Sequence, residues 1–424
     1  MSNLPVGQLQ FEKKTKYKDI DWKSIDTEGK IGYILQVDLE YPSHLHELHN
    51  DFPLAPESIE LHFKNLSPYA KKSLFECGGT SSFKDIKLSS TFHTRKNYIL
   101  HFKNLKLYLQ LGMNLKKIHK VLSFKQKKIF APFIQKCTEE RQKAKTKFEQ
   151  DRFKLVANST YGKTIQNVRN YINVKLHFKE KTLLKACANP TFKNYVILNE
   201  NFVQTNHFTP FIIHDRPIFI GFAILELSKH FMFDFFYNKL LKNSPSKIEL
   251  GFSDTDSFLF KANNAKLFEK HIQPFMDYSN YSQNNPLFNN ENKSKLGYFK
   301  DELHGELVCK EFVGLRAKCY SMRLKNNNFK VEKKVCKGLG RIAIQNRLKF
   351  KHYKKCLFKK ELKRFHFHSI RSSKQNVSTV LLNKKAISHF DSKRWIFNCG
   401  IHSVPYGSQM IKKFYDICPK NCKL

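Results

Sequence analysis

Residues 251–260, GFSDTDSFLF, set two aspartates one residue apart inside an otherwise apolar run. A run of that composition reads as a strand, and in a strand Asp254 and Asp256 project from the same face, close together. Like charges that near repel. A divalent cation removes the repulsion, and paired carboxylates beside one or two Mg²⁺ are the usual apparatus of phosphoryl transfer. Asp and Thr are also ordinary turn residues, so a hairpin tip is the alternative reading. Carboxylates are scarce here, with 36 Asp and Glu against 75 Lys and Arg, which makes their pairing more pointed.

The resulting net charge of +39 exceeds what solubility needs. It predicts a polyanion bound through its phosphates, with steep salt dependence, and lysines spread along the whole length suit an extended groove. A length of 424 residues with 41% apolar and 14% aromatic content allows two or three globular domains. The ten cysteines are mostly isolated, which fits thiols in a reducing, intracellular compartment. Cys418 and Cys422 have the spacing of half a zinc site, but no second pair lies nearby, and that reading is set aside. No apolar run approaches the ~18 residues of a membrane span, so no membrane partner is expected.

Residues 1–30 read as a polar lead-in. IGYILQVDL, residues 31–39, is a strand carrying Asp38 and leaving its sheet at Tyr41-Pro42. A mixed region follows to about 125, with CGGTSS (77–82) as a flexible connection. Residues 126–165 are helical in pattern, without Pro or Gly between Phe133 and Tyr161. Short strands are expected over 166–215, a helix apolar nearly all round over 221–240, an Asn-rich loop over 279–295, and a basic C-terminal domain from 296.

KLVANSTYGK, residues 154–163, is the second informative stretch. At 100° per residue Lys154, Asn158, Tyr161 and Ile165 share one helical face. A core stripe would not hold a lysine and an asparagine, whereas a face against a nucleoside triphosphate would. Gly162 then permits close approach of a ligand. The alternative is a surface helix with Gly162 near its C-cap. HLHELH, residues 44–49, is one residue short of the H-E-x-x-H spacing, so zinc is rejected there.

In order, Asp38, the Lys154 helix and Asp254-Thr255-Asp256 resemble motifs A, B and C of family B DNA polymerases. LRAKCYSM, residues 315–322, adds the K-x-Y pattern of the protein-primed subgroup. The stretches VDLEYPSHLHELHNDFPLAPE, LGYFKDELHGELVCKEFVGLRAKCYS and KKAISHFDSKRW look like polymerases of Maverick/Polinton-type elements and related viruses. The resemblance runs from about residue 30 to about 410.

It implies an α+β right-hand polymerase with palm, helical fingers and mixed thumb. The palm would comprise 31–57 and 216–310, the fingers 126–165, and the thumb and C-terminal region 311–424. Segments 58–125 and 166–215 would be insertions that contact a priming terminal protein and encircle DNA. The implied activity is template-directed addition of deoxynucleotides to a primer 3′-hydroxyl, at a nuclear or viral replication site. Asp38 and Asp256 would be ligands of two Mg²⁺, with Mn²⁺ as a substitute, Asp254 assisting and the Leu39 carbonyl adding an oxygen. Tyr41 would be the gate against a ribose 2′-hydroxyl. Lys154 and Arg141 would bind the triphosphate of the deoxynucleoside triphosphate, and Asn158 and Tyr161 would line the nascent base pair. Gly162, Lys163, Lys318 and Tyr320 would contact the DNA primer-template.

The chain departs from the family pattern in two residues fewer between Asp38 and Tyr41, and in Phe252 where a tyrosine usually precedes D-T-D. With 37 residues before Asp38, no exonuclease domain and hence no proofreading is expected. A reverse transcriptase would present adjacent aspartates instead of D-T-D. A non-catalytic DNA-binding remnant of a mobile element or virus is the alternative from another class.

Overall fold

The computed structural model describes residues 2–326, 330–373, 376–415 and 417–419. Its centre is a four-stranded antiparallel sheet in the order Leu4–Phe11, Asn114–Lys127, Ile31–Glu40, Arg95–His101. Alternation along Ile31–Glu40 sends Leu35, Val37 and Leu39 into the core, each fully buried, and leaves Asp38 on the opposite face. Register shifts fall on both sides of Asp38, between Val37 and Leu39 against one neighbour and between Asp38 and Leu39 against the other. Bulges of this kind re-aim a side chain out of the regular ladder.

Beneath the sheet lie Phe102, Leu105 and Tyr108 of the helix Phe102–Gln110, and Phe233, Phe235 and Phe236 from the helix Ile218–Asp234 and its π-helical continuation Phe235–Leu241. The hairpin formed by Ile248–Asp254 and Ser257–Ala262 adds Leu250, Phe258 and Phe260 to the same core. The Asp38 strand and the D-T-D hairpin are therefore fixed by one set of apolar contacts. Secondary structure is mixed α and β throughout.

Several expected boundaries differ in the structure. The 1–30 lead-in supplies the edge strand Leu4–Phe11 and buries Tyr17 and Trp22. Its carboxylates are hydrogen-bonded: Glu12 accepts from Ser123, Glu28 from Lys103, and Asp21 from Ser24. Within segment 58–125, Arg95–His101 and Asn114–Lys127 flank the Asp38 strand. Sequence distance hid that pairing. The helical pattern over 126–165 divides into Ala131–Lys143 and Lys147–Thr164, where Thr146 and Glu149 form a reciprocal capping box.

The apolar stretch 221–240 is buried on one side only, with Leu225 and Phe231 exposed. Its buried Glu226 accepts from the His101 N–H at 3.2 Å, Asn104 Nδ2 at 2.8 Å and Lys229 Nζ at 2.8 Å. Those donors offset the cost of burying a carboxylate, and they pin the helix to the sheet. Residues 172–208 form a small three-stranded antiparallel sheet with the helix Glu180–Cys187.

C-terminal to residue 307 lie the sheet Val308–Arg316, Cys319–Lys325, Lys330–Cys336 and the long hairpin Lys363–Ser373 with Asn376–Ile387. The chain then returns towards the Asp38 region: Arg394 donates to the Asn50 carbonyl, and Trp395, Phe397 and Tyr406 pack with Leu61. No helix among the described residues is long and apolar enough to cross a membrane.

Candidate active site

Asp38 Oδ1 accepts from the Asn97 N–H and from His119 Nε2, each at 2.8 Å. The Asn97 amide first, and then the His119 bond, hold this carboxyl below the usual carboxylate range. The group stays ionised near neutral pH. Asn97 and His119 sit on the two flanking strands, 59 and 81 residues away, and carry no motif of their own.

The two aspartates of D-T-D do not both lie in a strand. Asp254 ends one strand, and Thr255-Asp256 is a two-residue turn, with the Asp256 N–H donating to the Asp254 carbonyl at 2.7 Å. Thr255 takes φ +60°, a left-handed value that tight hairpin turns require. Asp256 is exposed at the tip. Asp254 is chelated by Lys318 Nζ, 2.7 Å from each carboxylate oxygen. Lys318 itself sits at φ +57° in the turn between Val308–Arg316 and Cys319–Lys325. Beside it Phe252 stacks on Tyr320, with centroids 4.4 Å apart and planes at 29°. The hairpin and the K-x-Y turn are thus joined by one ion pair and one ring stack.

The carboxylate oxygens of the three aspartates do not all lie within 4.8 Å of one another. Among the described residues, the group of His, Cys, Asp and Glu side chains with ligand atoms all within 4.8 Å is Cys399, His402 and Cys418. Asp38 is met by His119 and Asp254 by Lys318.

Tyr41 is buried, 5% exposed, with its hydroxyl 2.7 Å from His49 Nδ1 and accepting from the Leu54 N–H at 3.2 Å. Its ring packs edge-on against Phe92. Burial pushes its ionisation well upward, so it remains neutral. His46 stacks on Phe92 at 4.2 Å, which gives the HLHELH stretch a packing role. Behind this cluster the buried Arg95, opposite Leu39 in the ladder, donates to the carbonyls of Ala55, His93 and Thr91 and pairs with Glu57 at 2.9 Å. Sequence reasoning missed Arg95. A lone arginine in a strand gives no signal of the carbonyls it will meet.

Burial pulls the pKa of His49 down to about 4 and that of His101 to about 3. In an unfolded chain both titrate near ~6.5, so the unfolded state binds protons that the folded state excludes. Stability from these two groups is complete above about pH 6.5 and falls as pH drops towards 4. We predict a lower melting temperature at about pH 5.5 than at about pH 7.5, with the difference reduced in His49→Gln. An unchanged or higher melting temperature at the acid pH would refute it.

On the helix Lys147–Thr164, Lys154 and Asn158 are exposed and Tyr161 is half-buried. The helix is capped at Ile165, so Gly162 is not its C-cap, and a Cβ added there would meet nothing within 4 Å. Protein packing therefore does not demand glycine at 162. Lys163 belongs to another face, lining a cavity of about 570 Å³ with Val156, Ser159, Thr160, Phe133 and Arg216. Arg141 is half-buried on the preceding helix, which packs on this one. The helix end meets Gly221, where a Cβ would lie 2.2 Å from Ile165 Cγ2. That glycine lets the two helices cross closely.

Phi29 DNA polymerase complexed with primer-template DNA and incoming nucleotide substrates is similar to this chain at TM-score 0.50 and 16% identity, over 91% of this chain and 55% of its own. The fold is similar to that of a DNA polymerase. Phi29 DNA polymerase complexed with primer-template DNA alone gives 0.48 and 18%, over 90% and 54%. The chain spans about half the length of these phi29 polymerase chains. No protein-family model and no curated protein matches it.

Proposed function

We propose that this chain is the polymerase part of a protein-primed family B DNA polymerase of Maverick/Polinton type, adding deoxynucleotides to a primer 3′-hydroxyl. The observation that carries the reading is the junction of the D-T-D hairpin with the K-x-Y turn, through Asp254–Lys318 and Phe252–Tyr320, on the same core as the strand that carries the ionised Asp38. Three carboxylates and the Leu39 carbonyl are hard oxygen donors of the kind Mg²⁺ or Mn²⁺ takes, and Asp254 already pairs with the ammonium of Lys318. Asp38, Asp256 and the Leu39 carbonyl would hold two such ions, whose Lewis acidity activates the 3′-hydroxyl and neutralises the departing pyrophosphate. Lys154 and Arg141 bind the triphosphate, and Asn158 and Tyr161 line the nascent base pair. Gly162, Lys163, Lys318 and Tyr320 lie along the primer-template.

A labelled primer annealed to a DNA template, incubated with deoxynucleotides and Mg²⁺, tests the reading directly. Extension that chelator abolishes is expected, and binding should weaken with salt by a log-log slope of about −0.9 per phosphate neutralised. No extension with tight DNA binding would favour a non-catalytic remnant. Extension on RNA templates alone would favour a reverse transcriptase.

Tyr41 gives a separable prediction. Tyr41→Ala should admit ribonucleotides far more readily, because the ring's bulk discriminates. Tyr41→Phe should keep discrimination yet lose stability by about 1–3 kcal/mol, since the buried Leu54 N–H and His49 lose their hydroxyl partner. Equal discrimination in the alanine variant and the wild type would move the gate elsewhere.

A further inference from the structure

We infer that Cys399, His402 and Cys418 form a zinc site that clasps the C-terminal segment to the body of the protein. Cys399 and His402 lie on the loop joining the short strands Trp395–Ile396 and Ser403–Val404. The loop is folded tightly: the Phe397 N–H donates to the His402 carbonyl at 3.0 Å and the Gly400 N–H to the Phe397 carbonyl at 2.8 Å. Gly400 takes φ +72° over the ring of Tyr69, where a Cβ would approach within 2.8 Å. This turn aims both side chains the same way. Cys418 arrives after the helix Gln409–Phe414.

His402 Nδ1 lies 3.5 Å from Cys399 Sγ and 3.3 Å from Cys418 Sγ. A tetrahedral Zn²⁺ with Zn–S near ~2.3 Å and Zn–N near ~2.0 Å separates its sulfur and nitrogen ligands by about 3.5 Å. The spacing is that of ligands around one ion. The His402 N–H also donates to Cys399 Sγ at 3.3 Å, a bond that stabilises a metal-bound thiolate. Two thiols and an imidazole are the soft and borderline donors that select zinc over magnesium. On binding, each thiol releases one proton to solvent, so the two thiolates neutralise the ion's charge. Among the described residues, these three side chains supply three of the four ligands of a tetrahedral site. Cys422, paired with Cys418 in sequence, lies outside the described residues.

The site is independent of the polymerase reading, and its role is structural. It ties the end of the chain to the cluster of Trp395, Phe397, Val404 and Tyr406. Through that cluster it reaches the Tyr41 region, because the Phe92 N–H donates to the Tyr406 carbonyl at 2.7 Å and Phe92 packs on Tyr41.

The full chain, purified without chelator, should carry about one zinc per molecule by elemental analysis. Replacement by Co²⁺ should give thiolate-to-cobalt charge-transfer absorption. Cys399→Ser, His402→Gln and Cys418→Ser should each lower the metal content, and chelator should lower the melting temperature of the wild type. The inference is overturned if the wild type holds no zinc after dialysis against it and shows no such absorption. It is equally overturned by a Cys399–Cys418 disulfide found by non-reducing mass spectrometry, or by undiminished metal in all three variants.

Discussion

Asp256→Asn is expected to reduce single-turnover nucleotide incorporation by about a thousandfold or more, while primer-template affinity stays nearly unchanged. The substitution adds no bulk at an exposed turn position, so the hairpin keeps its register. What it removes is an anionic oxygen of the proposed metal site, and metal stabilisation of a phosphoryl transition state amounts to several kcal/mol, about one decade of rate per 1.4 kcal/mol. Asp38→Asn should act alike, because its amide oxygen can still accept from Asn97 and His119 and the strand is not disturbed. Rapid-quench measurement of one nucleotide addition on a fixed primer-template reads both variants. Wild-type rates in either one would remove that aspartate from the metal site, and parallel loss of DNA binding would point to misfolding instead.

Arg95→Met is expected to cost about 3–5 kcal/mol of stability, the usual result of breaking a buried ion pair by removing one partner. The guanidinium is 1% exposed and satisfies three carbonyls besides Glu57. Methionine fills much of the volume and satisfies none of them. Glu57→Gln in the same chain should recover part of the loss, since the two residues share one interaction. Urea denaturation of the single and double variants gives the comparison. A single variant within about 1 kcal/mol of wild type would show that the carbonyls find other donors.

The strand ending near Asp38 and the helix bearing Lys154 were legible in the sequence, and the turn at Thr255-Asp256 only as the alternative to a continuous strand. Their signals are local: period-2 alternation through Leu35, Val37 and Leu39, a helical face, and turn residues at a strand end. The capping box of Thr146 and Glu149 was equally local and was overlooked, so two helices read as one. The expectation of a polymerase fold came from the resemblance of these stretches, taken in order, to the motifs of family B DNA polymerases.

Tertiary structure alone decided what surrounds those residues. Asp38 receives its donors from strands 59 and 81 residues away, Asp254 its lysine from 64 residues away, and Arg95 its carbonyls from across a loop. Cys418 meets His402 only because the last helix folds back on a two-stranded turn. Periodicity and capping act over one or two turns of chain, where sequence neighbours are spatial neighbours. Side-chain partnerships across a sheet depend on register and packing among distant segments, and a residue's own neighbours in sequence say nothing of which donor will arrive opposite it.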